Sequence, residues 1–75
     1  MIQMKNQMES GLQKIACNIR ECRREKGKTQ SQVAEMLNVS QNSYSKLELG
    51  KTKLTVIRLL AIAEFLNINV SELLI

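Results

Sequence analysis

Residues 29–49 read TQSQVAEMLNVSQNSYSKLEL, and the fold of the chain turns on how this stretch divides. Thr29, followed three positions later by Gln32, forms a capping-box pair. Such a pair opens a helix by satisfying backbone N–H groups that have no intrahelical partner. Val33, Ala34 and Leu37 then give one apolar face, which predicts a short helix ending at Leu37. Asn38-Val39-Ser40 is a tight turn, because Asn38 tolerates positive φ and Ser40 suits the cap of a following helix. That second helix is expected over about Gln41 to Leu49, burying Tyr44 and Leu47 and stopping at Gly50.

Two helices of about eight residues across a three-residue turn make a helix-turn-helix pattern. Ala34 is small where the two must cross closely. Val33, Leu37, Val39, Tyr44 and Leu47 fasten the pair to the rest of the chain, which leaves the far side of the second helix free to enter a DNA major groove. That side carries Gln41, Asn42, Ser43, Ser45 and Lys46. Gln and Asn can pair bidentately with adenine edges, and Lys suits guanine O6 and N7.

Upstream, Ser10 with Gln13 is another capping-box pair, so the first firm helix is expected to start at Gly11. Leu12, Ile15, Ile19 and Cys22 recur at helical spacing beside Ala16, and the helix should run to about Lys26 and stop at Gly27. Residues 1–9 are expected to be a flexible N-terminal extension, in which Met1, Met4 and Met8 belong to a frayed tail. The domain proper is then residues 10–75. Downstream, Lys51-Thr52-Lys53 is a basic loop and Thr55 caps a fourth helix, about Val56 to Leu66. Asn67-Ile68-Asn69 ends it, and Ser71 caps a final turn carrying Leu73 and Leu74. The expected fold is all-α with five helices, of which the second and third form the helix-turn-helix.

The fourth helix has more apolar surface than one core can use. At 100° per residue, Val56, Leu59, Leu60, Ala63 and Leu66, with Ile62 at the margin, form the inward stripe. Ile57, Ala61 and Phe65 fall at i, i+4 and i+8 on the opposite side. A chain this small has no second layer to cover them, and a two-fold copy of itself is the commonest solution. A homodimer is therefore expected, with Leu74 and Ile75 completing the contact.

Composition bounds the chemistry. Seventy-five residues allow one domain, which buries only roughly 60% of the surface its unfolded chain exposes. Apolar residues at 44% exclude intrinsic disorder. Tyr44 and Phe65 are the only aromatics, so the core is aliphatic and a stacking platform for single-stranded nucleic acid is not expected. Histidine is absent, which excludes Ser-His-Asp and Cys-His catalysis and any histidine-containing zinc site. Cys17 and Cys22 point about 140° apart on a helix, too far round to bridge, and read as free thiols in a reducing cytoplasm. No metal or other cofactor is expected. The N-terminus lacks the form of a secretory signal, and no apolar run approaches the ~20 residues of a membrane span. Eleven Lys and Arg against seven Asp and Glu leave a net charge of +4, which favours polyanions through counterion release. The cations cluster at Arg20, Arg23, Arg24, Lys26 and Lys28, and again at Lys46, Lys51 and Lys53.

The stretch IRECRREKGKTQSQVAEMLNVSQNSYSKLELGKTKLTVIRLLAIAEFLNINVSELL, residues 19–74, resembles the phage-repressor and Cro-type helix-turn-helix family, often called XRE. The shared markers are a basic first helix ending in Lys26-Gly27, Thr29-Gln30 opening the second helix, and the central Ala34. Val39 and Ser40 in the turn, Leu47-Glu48 and Gly50-Lys51 continue the pattern. Asn38 stands where the family prefers Gly, and Leu54 where Pro is frequent. The resemblance implies that Gln41, Asn42, Ser43 and Lys46 face bases. It implies phosphate contacts from Gln30, Arg23, Ser45 and the loop Lys51, Thr52 and Lys53. It also implies a salt bridge between Arg23 and Glu48 that ties the first helix to the third.

These readings together point to a sequence-specific regulator of transcription, of repressor or controller type, that binds double-stranded DNA as a homodimer on a palindromic operator. Its regulation is expected to come from its own concentration, the operator arrangement or a partner protein, since nearly the whole chain is DNA-binding domain. The alternative is an antitoxin-like interaction module that binds a partner protein and autoregulates through DNA. An enzyme is not expected: beside the missing histidine there is no Gly-rich phosphate loop and no convergent pair of carboxylates.

Overall fold

The computed structural model describes the backbone of residues 3–75 and the side chains of residues 11–75. Four α-helices, α1 (Gln3–Glu25), α2 (Gln30–Leu37), α3 (Gln41–Glu48) and α4 (Val56–Leu66), are followed by one 3₁₀ turn, Val70–Leu73. Among the described residues there is no strand. Helix α2 packs on α3 and α4, while α1 lies against α3, α4 and the terminal turn. Ile19, Val33, Ala34, Tyr44, Leu47, Ile62, Ala63, Leu66 and Leu73 meet in one largely aliphatic core.

Three of the five capping residues read from the sequence, Thr29, Ser40 and Thr55, act as caps. Thr29 Oγ1 accepts from the Gln32 N–H, and the Gln32 side chain accepts from the Thr29 N–H, closing the capping box. Ser40 accepts from the Ser43 N–H and Thr55 from the Arg58 N–H. All four helices end in the same way. The N–H of the second residue past the cap returns to a carbonyl five residues back: Lys28 to Arg23, Val39 to Ala34, Lys51 to Lys46 and Ile68 to Ala63, all at 3.0–3.1 Å. This is the Schellman arrangement, which needs a left-handed residue at its corner. Gly27, Asn38, Gly50 and Asn67 supply it, with φ between 57° and 71°. Gly50 is doubly constrained, because a Cβ there would also stand 3.3 Å from the Gln13 Cα.

Three expectations are corrected. Helix α1 begins at Gln3 and not at Gly11, so Ser10 lies inside it. Residues 3–10 contain no proline and are mostly good helix formers, and the continuing helix overrides a local capping signal. Met1 and Ile2 of the expected extension, and the side chains of Met4 and Met8, lie outside the described residues.

The fifth helix is a single 3₁₀ turn of four residues, capped by Asn69 and not by Ser71. Asn69 accepts from the Ser71 N–H while Glu72 reaches back to the Asn69 N–H. The turn is anchored from α1 by Asn18, whose Nδ2 donates to the carbonyls of Leu73 and Ile75 at 3.1 and 2.8 Å.

Helix α4 is rotated from its expected setting. Ile62, Ala63 and Leu66 are buried and Leu59 packs beside them, whereas Val56 and Leu60 are 70% and 50% exposed. Nine of its eleven residues are apolar and only Arg58 and Glu64 are charged. Periodicity therefore left its orientation poorly determined. Both cysteines are free. Cys22 packs against the core, where burial, and then Glu25, push its thiol pKa up.

Candidate nucleic-acid interface

Helix α3 is held from one side. Tyr44, Leu47 and Glu48, at i, i+3 and i+4, are buried. The opposite side therefore faces solvent: Gln41, Asn42, Ser43 and Lys46 are exposed and Ser45 is half-buried. Ser43 is turned toward the helix start, since Ser40 Oγ donates to its Oγ at 3.0 Å. Beyond the helix, the Schellman turn at Gly50 sends the chain back across the end of α3, with Lys51 and Lys53 exposed and Thr52 half-buried between them.

The expected Arg23–Glu48 pair forms, and it is buried. Arg23 is 8% and Glu48 4% exposed. Arg23 Nε donates to Glu48 Oε2 at 2.5 Å and Nη2 donates to Oε1 at 3.2 Å, a bidentate arrangement. Arg23 Nη1 donates to the Lys28 carbonyl at 2.8 Å, so the guanidinium also holds the chain between α1 and α2. Gln30 joins the cluster: its Nε2 donates to Glu48 Oε1 at 3.0 Å. Burial disfavours the Glu48 carboxylate, but hydrogen bonds, above all from Arg23, outweigh that effect and hold its pKa below the usual carboxylate range. The hydrogen bond to Glu48 likewise raises the Arg23 pKa against the effect of burial. Burial, reinforced by the nearby Glu48, raises the pKa of Tyr44, whose hydroxyl finds no hydrogen-bond partner among the described residues.

Two residues passed over in the sequence border this face. Arg58, in the first turn of α4, lines one cleft together with Ser43 and Thr52, which extends the cationic surface of the 51–53 loop. Ser31, in the first turn of α2, donates from Oγ to Gln41 Oε1 at 2.9 Å. A cation three residues into a helix beside a basic loop was a readable signal for Arg58; nothing local could signal Ser31.

The residues assigned to a dimer contact fall into two groups. Ile57, Leu74 and Ile75 are 79%, 53% and 77% exposed. Ala61 and Phe65 are half-buried, and Phe65 packs against the core with Lys28 Nζ 5.4 Å from its ring centroid. Val56 and Leu60 take their place on the exposed side of α4.

Two short helices locked at a fixed crossing, with a polar outward face on the second, define a DNA-binding module. The helix-turn-helix family model matches residues 19–73, and the chain belongs to that family: it is an XRE-type, all-α DNA-binding regulator. Among solved structures it is similar to the restriction-modification controller protein C.AhdI from Aeromonas hydrophila. The two are 26% identical with a TM-score of 0.78, over 87% of this chain and 94% of that one. No curated protein matches the chain. Among the described residues, no helix is long and apolar enough to cross a membrane.

Proposed function

We propose that the protein is a sequence-specific transcriptional regulator of repressor or controller type, acting in the cytoplasm as a homodimer on a palindromic operator. The observation that carries the reading is the division of α3, with Tyr44, Leu47 and Glu48 buried and Gln41, Asn42 and Lys46 exposed opposite them. Gln41, Asn42, Ser43 and Lys46 face base edges. Gln30, Ser45, Lys51, Thr52 and Lys53 track the phosphates, and Arg23 serves chiefly by holding α3 through Glu48. The likeness to a controller protein of a restriction-modification system supports the controller type. The exposed apolar side of α4 supports a second copy as partner. Two-fold pairing then sets two α3 helices in successive major grooves, about 34 Å apart. The proposed role is binding without catalysis, on the sequence grounds already given.

Selection of bound duplexes from a random pool identifies the operator and tests the reading. On that operator, Gln41→Ala and Asn42→Ala should each cost ~1–3 kcal/mol per half-site and scarcely alter binding to random DNA. Equal losses on both would remove these side chains from the readout.

Binding should also weaken steeply with salt. Each phosphate neutralised adds about 0.9 to the slope of log K against log salt, so Lys51→Ala, which removes one contact from each copy of the dimer, should make it shallower by about two units. Fluorescence anisotropy across a salt series measures this. A flat response in the unmodified protein would refute the electrostatic part of the proposal.

A further inference from the structure

Gln41 is the first residue of α3 and Ser31 the second of α2. Both sit in first turns fixed by their own caps, Ser40 for α3 and the Thr29–Gln32 box for α2. The bond from Ser31 Oγ to Gln41 Oε1, 2.9 Å long, therefore spans two rigid points. Among the described residues no other side chain hydrogen-bonds the Gln41 amide. Ala34 and Val39 line the cleft between the helices beside it, and Glu35 and Asn38, the polar residues that share its lining, make no hydrogen bond to that amide.

A glutamine amide carries an acceptor on one atom and two donors on the other. Pairing with adenine requires both atoms at the base edge, the oxygen accepting from N6 and the nitrogen donating to N7. With its oxygen held against Ser31, Gln41 presents chiefly its NH2 group to the groove. Guanine presents two adjacent acceptors, N7 and O6, and matches that offer. We infer that Ser31 is a positioning residue that sets the base preference of Gln41, converting it from an adenine reader to a donor that selects guanine. The inference rests on the proposal that α3 reads base edges.

The test is competitive selection with the full chain and its Gln41→Ala, Ser31→Ala and Ser31→Thr variants. The base pair that becomes degenerate in Gln41→Ala is the one Gln41 reads. At that pair the unmodified protein should prefer G·C over A·T by about tenfold, the scale of one good bidentate contact. Ser31→Ala should bring the ratio to about one or invert it, with preferences elsewhere in the site unchanged, whereas Ser31→Thr keeps the hydroxyl and the ratio. Ser31 is exposed, so neither variant disturbs the core. A preference for A·T in the unmodified protein, a ratio that Ser31→Ala leaves unmoved, or no pair made degenerate by Gln41→Ala overturns the inference while leaving DNA binding intact. Failure to select any sequence overturns both.

Discussion

Glu48→Ala should destabilise the domain by about 3–5 kcal/mol, the loss expected when one member of a buried ion pair is removed and the other stays behind. Arg23 is only 8% exposed and cannot turn its guanidinium to water without moving α1 away from the segment after it. Gln30 would lose its acceptor as well. For 75 residues the whole stability is expected to be roughly 4–11 kcal/mol, so this one carboxylate decides whether the domain stays folded. Urea unfolding measures the effect, and a midpoint unchanged by Glu48→Ala would show that the pair is idle. The pH dependence follows from the direction of the shift. Because the Glu48 pKa is lower in the folded state than in the unfolded chain, its contribution is fully present above the unfolded value, ~4.3, and is lost as pH falls through the folded one. The unmodified protein should therefore lose stability on acidification below about pH 4 more steeply than Glu48→Gln. Arg23, with its pKa raised from an already high value, stays charged throughout that window.

The elements that were legible in the sequence are those written by local chemistry. Thr29, Ser40 and Thr55 at helix starts, and Gly27, Asn38 and Gly50 at helix ends, act within four or five residues of themselves, so a short window contains the whole interaction. Where a local signal competed with a continuing helix, at Ser10, the longer element prevailed. Ser71 lost the cap of the terminal turn to Asn69, two residues earlier and equally able to accept from a backbone N–H. The rotation of α4 was not legible, since an almost wholly apolar helix has no polar side to orient it. Neither were the bonds from Gln30 to Glu48 and from Ser31 to Gln41. They join side chains 18 and 10 residues apart and exist only once the helices have packed. The outward face of α3 was readable because its buried side carries the apolar residues. The setting of the amides on that face depends on a neighbouring helix.

Ile57→Lys should convert the protein from dimer to monomer and lower its affinity for a palindromic operator by about 10²–10⁴-fold, the range by which linked sites gain over single ones. Val56, Ile57 and Leu60 share one side of α4 and are 70%, 79% and 50% exposed, a run of large aliphatic side chains left in water by the isolated chain. Covering each is worth about 1.5–3 kcal/mol at full burial, and a two-fold axis beside this side covers both copies at once. A charge at Phe65, the choice suggested by helical spacing alone, would confuse two effects, because that ring packs against the core as well. Ile57 touches no such interior, so a lysine there leaves the fold intact while setting two like charges against each other across the axis. Sedimentation at tens of micromolar should find the unmodified chain dimeric and Ile57→Lys monomeric with the same far-UV spectrum. Each monomer still carries a complete α3 and should bind an isolated half-site as the unmodified chain does. A monomeric unmodified protein at that concentration, or an Ile57→Lys variant that remains dimeric, would move the interface off α4.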